Sequence, residues 1–219
     1  MNDATALICY ENSYFRFLGE RGNITGRTGT CGRIRCCCIC PQPVKATIKH
    51  DHLTIMQGEL SDEAMIERTI TGVNAVISVM GPSGKSKGTP ITQGMRYIIA
   101  AMNKYGVRRL IALSTASSKD PNDKLGIKLK TMITFVKTTS PDAYADIVGW
   151  SEVIRASNLD WTLVRVLLLD DKPKTGNVKT GYPGRNELGT HISRADLADF
   201  MLKQVKDTKY IRKAPIITN

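Results

Sequence analysis

The residues best placed to serve a ligand stand at the ends of two apolar runs. After Asn74-Ala-Val-Ile-Ser-Val-Met80 the chain reads Gly81-Pro82-Ser83-Gly84, and after Val107-Arg-Arg-Leu-Ile-Ala-Leu113 it reads Ser114-Thr115-Ala116-Ser117-Ser118. Small groups of this kind let a ligand approach the backbone. A third stretch, Asn23-Ile-Thr-Gly26-Arg27-Thr28-Gly29, is a glycine-rich turn that no amphipathic helix follows. Acid–base and covalent chemistry find less support. A lysine four residues after a tyrosine would lower the phenol pKa for proton transfer, but Tyr97 is followed by Ala101, Tyr105 by Arg109 and Tyr144 by Val148. No serine, histidine and acid, and no carboxylate pair, makes a hydrolase set; His191 reads as a structural loop residue. A tetrahedral metal site needs separated ligand pairs. Cys36-Cys37-Cys38-Ile39-Cys40, with Cys31 ahead and Cys9 apart, is a crowded run instead, so no metal is expected.

The elements that must position these groups follow from the hydrophobic pattern. The two apolar runs are short, β-branched and almost uncharged at their centres, which suits parallel strands covered on both faces. Between them Thr89 to Lys104 carries Ile91, Met95, Ile98, Ile99 and Met102 at helical spacing and stops at Gly106. Ahead lie a strand at Leu53–Met56 and a helix capped by Ser61 or Asp62 that runs to Gly72. Beyond lie helices at Leu125–Lys137 and Asp142–Ser157, and a strand at Asp160–Leu169. A short polar strand at Asn177–Thr180, a helix capped by Ser193 and a terminal edge strand at Ala214–Thr218 complete the order. Strand and helix alternate, and in an open parallel sheet a ligand binds beyond the carboxyl ends of the strands. The fold expected is α/β, a doubly wound parallel sheet in a single domain, with an irregular N-terminal segment.

Composition bounds the function. At 219 residues, 42% hydrophobic and 23% charged, the chain can bury a full core. No apolar run approaches the roughly 18 residues a membrane span needs, and no basic region precedes the first apolar run, so a cytoplasmic location is expected and no membrane partner. The net charge of +11 favours an anionic ligand. Its basic residues are scattered rather than interleaved with aromatics in one patch, which argues against nucleic acid.

The segment from Leu53 to Asn219 resembles the atypical short-chain dehydrogenases, the NAD(P)H-binding group that includes NmrA-like proteins and the flavin reductase or biliverdin-IX-beta reductase type. The resemblance rests on Gly58-Glu59-Leu60-Ser61-Asp62, Gly72 to Pro82, Gly106 to Thr115, Glu152-Val-Ile-Arg155 with Leu159 to Arg165, and Ile192-Ser-Arg-Ala-Asp-Leu-Ala198, in the expected order. It implies a Rossmann fold binding NADPH, or NAD. On this likeness Glu59 and Leu60 lie near the adenine, Met80, Gly81 and Pro82 by the ribose and pyrophosphate, and Ser114 and Thr115 at the nicotinamide.

The first unit departs from that pattern. Relatives open a helix with Gly-x-x-Gly-x-x-Gly, whose amides and partial positive charge hold the pyrophosphate; here Asn23 replaces the first glycine, and Gly26, Arg27, Thr28 and Gly29 are the remnant. The expected helix and second strand then have to share the cysteine run, so residues 1–49 read as a degraded first βαβ unit and 50–219 as the rest of the domain. Cys40 to Lys45 can be encoded by DNA that, shifted one base, reads Ala-Arg-Asn-Pro-Ser-Lys, a family-like strand ending. On this reading part of Thr30–Thr47 is a frame or splice-boundary error. The phosphate-reading arginine has no counterpart beyond Arg27 and Lys45, and weak discrimination between NADPH and NADH is expected.

Without Tyr-x-x-x-Lys, the mechanism of the ordinary short-chain dehydrogenases is not supported. The likeness implies an NAD(P)H-dependent reductase of a small planar acceptor, in which the cofactor supplies the hydride and Ser114, or Tyr144, a proton. The alternative is an NmrA-like dinucleotide sensor without turnover. No added substrate domain follows Asn219, which leans towards the small reductase, acting as a monomer on a small molecule.

Overall fold

Eight strands pair into one sheet whose spatial order, β3-β2-β1-β4-β5-β6-β10-β8, reverses direction between β1 and β4. The computed structural model describes residues 4–9, 34–40, 53–82 and 87–219. The strands are β1 (Ala4–Cys9), β2 (Ile34–Cys40), β3 (Leu53–Gln57), β4 (Ala75–Ser78), β5 (Arg109–Thr115), β6 (Asp160–Val166), β7 (Leu168–Asp170), β8 (Lys179–Gly181), β9 (His191–Ser193) and β10 (Ile216–Thr218). The helices are α1 (Glu63–Ile70), α2 (Pro90–Lys104), α3 (Ile127–Thr139), α4 (Pro141–Ala156) and α5 (Arg194–Lys203). Within the main sheet every pairing is parallel except that of β10 with β8. This is the expected doubly wound Rossmann arrangement.

Strand alternation sends neighbouring residues to opposite faces. Val76, Leu110, Ala112, Trp161 and Leu163 meet Ile66, Met95, Ile98, Met102, Trp150 and Ile154 on one face, all of them buried. Ile77, Ile111, Leu113, Val164 and Val166 meet Leu197, Phe200 and Met201 on the other. Burying one such side chain stabilises the fold by about 1.5–3 kcal/mol, which is why these runs are apolar through their centres.

Caps fix the helix ends. Asp62 accepts the Met65 amide at 2.9 Å to start α1, and Ser193 accepts the Asp196 amide at 3.1 Å to start α5. At the end of α2, Gly106 takes φ of 71° while the Val107 amide donates to the Met102 carbonyl at 2.8 Å. A left-handed residue there satisfies carbonyls the helix would leave open.

Two expectations are corrected. The strand expected to run from Asp160 to Leu169 divides after Val166, and Leu168–Asp170 leaves the main sheet to pair with β9. The C-terminal strand is not an edge: β10 lies between β6 and β8, and Ile216 and Ile217 are fully buried. The cysteine run is strand β2, held in parallel register between β1 and β3. A strand at Ala4–Cys9 stands ahead of the glycine-rich turn in the sequence. Gly26, Arg27, Thr28, Gly29 and Lys45 lie outside the described residues. No helix among those described is long and apolar enough to cross a membrane.

Candidate functional site

The strand order reverses between β1 and β4, and it is beyond the carboxyl ends of the strands at such a reversal that doubly wound sheets take ligands. One such end is the exit of β4. Met80 and Gly81 are buried there and Pro82 is half-buried. The neighbouring exit of β5 carries Thr115, half-buried, whose Oγ1 accepts the Ser117 amide at 3.2 Å. After β3, Glu59 is exposed and accepts the Ser61 hydroxyl at 3.3 Å. Leu60 turns towards the core instead: a Cβ built on Gly94 of α2 would stand 2.8 Å from the Leu60 Cβ, so Leu60 sets how closely its loop packs on that helix.

Helix α4 ties the parts of this edge together through three side chains. Ser151 reaches β5, where its Oγ lies 2.9 Å from the Ser114 Oγ, and Ser151 also donates to the Ile147 carbonyl at 2.8 Å. A serine has one proton. With that of Ser151 given to Ile147, Ser114 is the donor between the two hydroxyls. Ser114 is 1% exposed. The hydroxyl expected to serve as proton donor is therefore held inside the strand–helix interface, its proton already engaged.

Asp146 reaches α2. Its carboxylate accepts the Ile91 amide at 3.0 Å, the Thr92 amide at 2.7 Å and the Thr92 hydroxyl at 2.6 Å. Close packing of the two helices makes this possible, since a Cβ on Gly149 would come within 2.5 Å of Thr92 Oγ1. Tyr144 reaches α3: the Lys137 ammonium sits over its ring, 5.8 Å from the centroid. The lysine absent at position 148 is thus met by one from another helix, placed on the ring face.

Behind β5 a buried ion pair orders the loop that leaves Thr115. Arg165 of β6 holds Asp123 through two bonds of 2.6 and 2.8 Å and also donates to the carbonyls of Ser118 and Ala214. Both side chains are almost fully buried, and the Arg165 guanidinium lies 5.8 Å from the ring centroid of Tyr182. Arg155, 3.9 Å from Asp120, extends the cluster. Burial pulls the Arg155 guanidinium down from its usual range, against the pull of Asp120.

A family description for NAD(P)H-binding proteins matches residues 40–208. The chain belongs to the NAD(P)H-binding family. Its fold is that of solved short-chain dehydrogenases. A short-chain dehydrogenase/reductase from Veillonella parvula superposes with a TM-score of 0.75 at 16% identity, over 100% of this chain and 95% of that one. A second Veillonella parvula protein of this class, solved in complex with NADP, gives 0.70 at 16% identity over 98% and 94%. An oxidoreductase from Lactococcus lactis gives 0.70 at 18% identity over 97% and 90%. The match of this NAD(P)H-binding chain begins as the cysteine run ends, so the first 39 residues stand outside it.

The β4 exit is uncharged over Met80, Gly81 and Pro82, and Thr115 offers a hydroxyl at the next strand end, groups compatible with a dinucleotide's pyrophosphate and ribose. Asp146, Ser151 and Lys137 belong to no motif in the sequence. Asp146 alone left a trace: its helical neighbours at three and four residues are Ala143, Gly149, Asp142 and Trp150, so a mid-helix carboxylate without a local cation had to find its partner elsewhere.

Proposed function

We propose that this chain is an NAD(P)H-dependent reductase of a small planar acceptor, such as a flavin or quinone, acting as a cytoplasmic monomer. The observation that carries the reading is a dinucleotide-binding frame without a tyrosine–lysine relay: Val148 stands four residues after Tyr144, and the Ser114 proton is engaged by Ser151. Reduced nicotinamide, when bound, supplies the hydride. An acceptor whose reduced form spreads its charge over a ring system asks little acid catalysis of the protein, and solvent or Tyr144 can supply the proton. Met80, Gly81, Pro82 and Thr115 would line the cofactor, with Glu59 towards the adenine; Gly26 to Gly29, Arg27 among them, and Lys45 are the further candidates for its phosphates.

The engaged Ser114 proton also favours a second reading, an NmrA-like sensor that binds the dinucleotide without turning it over. Acceptor-dependent oxidation of NADPH separates the two. Saturable oxidation with flavins or quinones is expected; tight NADPH binding with no oxidation across a broad acceptor panel supports the sensor.

A further inference from the structure

Helix α2 follows the β4 exit without a cap of its own. Thr89, at its N-cap position, makes no side-chain capping bond, and Pro90 opens the first turn. The amides that a local side chain would ordinarily satisfy are satisfied from α4. Asp146 takes the Ile91 and Thr92 amides and the Thr92 hydroxyl, and its own carbonyl accepts the same hydroxyl at 3.1 Å. Asp146 is 1% exposed. Each of its described bonds goes to that one turn, and a negative charge there also meets the positive end of the helix.

A cap borrowed from another helix does what a local cap cannot. It makes the place of the first turn of α2 depend on α4, and α4 is anchored to β5 by Ser151 and Trp150, whose indole donates to the Leu113 carbonyl at 3.3 Å. Met80 at the β4 exit, Ile91 in the first turn of α2 and Ile147 of α4 belong to one buried cluster. We propose that Asp146 is a positioning residue for the cofactor, fixing the start of α2, and with it the Met80–Pro82 exit, against the helix that backs the nicotinamide end. The proposal rests on the reading that Met80–Pro82 line the dinucleotide.

The test is the NADPH dissociation constant, measured by cofactor fluorescence on the full chain. Asp146→Asn turns one carboxylate oxygen into an N–H donor facing a backbone N–H, so the turn must shift; binding is expected to weaken at least about tenfold, the loss of one charge-assisted contact. Thr92→Val removes the hydroxyl bond alone and is expected to weaken binding about threefold, while Thr92→Ser restores it. Asp196→Asn is the control: its carboxylate, on α5, accepts the Thr175 and Gly176 amides, so its removal costs stability without touching α2; its dissociation constant should match wild type. Wild-type affinity in both Asp146→Asn and Thr92→Val, or equal weakening in Asp196→Asn, would overturn the positioning role and leave a structural cap. If Asp146→Asn does not fold, the Thr92 pair decides. Wild-type protein that binds no NADPH would overturn the underlying reading, and the proposal with it.

Discussion

Ser114 and Ser151 face each other across the β5–α4 interface with their oxygens 2.9 Å apart, and the Ile147 carbonyl fixes which of them donates. The direction of that bond has an energetic consequence. Ser151→Ala strands the buried Ser114 hydroxyl and should cost about 1–3 kcal/mol, whereas Ser114→Ala leaves Ser151 bonded to Ile147 and should cost less than about 1 kcal/mol. Urea denaturation of both variants and the double variant checks this, with the double variant close to Ser114→Ala. A costlier Ser114→Ala reverses the assignment. Loss of turnover in Ser114→Ala at unchanged stability would return that hydroxyl to proton donation.

The Arg165–Asp123 pair makes a sharper demand. Asp123→Ala leaves a guanidinium buried with only carbonyl partners and should cost about 3–5 kcal/mol. Replacing both residues, Arg165→Met with Asp123→Leu, should recover most of that, since paired apolar groups leave no charge to solvate. Denaturant midpoints compare the two; a double variant no better than Asp123→Ala would show that the loop after β5 needs the ion pair itself.

Much of this architecture is legible in the residues. From Leu53 onwards, apolar runs bounded by Asp62, Gly72, Gly106 and Ser193 mark the elements to within a few residues, because caps and left-handed glycines punctuate a chain locally. What stayed hidden depends on partners. Nothing in Ala214–Thr218 tells that β8 returns to cover it, and Leu167-Leu168-Leu169 continues an apolar run past the point where the strand changes sheets. Ala4–Cys9 is a short strand of six residues, and a run of cysteines, small and weakly polar, reads equally poorly as helix or strand until β1 and β3 flank it. At the site, alternation puts Ser114 on the α4 face but is silent on whether Ser151 waits there. The borrowed cap of Asp146 joins residues far apart in sequence.

Asp196 gives the fold an acid limit. Burial alone would raise its carboxyl, but the Thr175 and Gly176 amides and the Ser193 and Thr175 hydroxyls outweigh that and lower it from 3.8 to about 2. A depressed folded-state pKa means stability that is complete above the unfolded value and lost as pH falls through the folded one. The contribution, roughly 2 kcal/mol at neutral pH, should therefore fade between about pH 5 and pH 2. Asp196→Asn should lower stability at pH 7 and flatten this part of the pH profile, as followed by thermal unfolding. An unchanged acid limb would assign it to other carboxylates.

The most direct test of the account is the melting temperature of the full chain titrated with NADPH. A ligand that binds only the folded state at a hundredfold excess over its dissociation constant stabilises by about 2.7 kcal/mol, or about 5–10 °C for a chain of this size. A saturable rise of that order is the result expected if the β4 and β5 exits and the first unit form a working dinucleotide site. A flat titration into the millimolar range would contradict it.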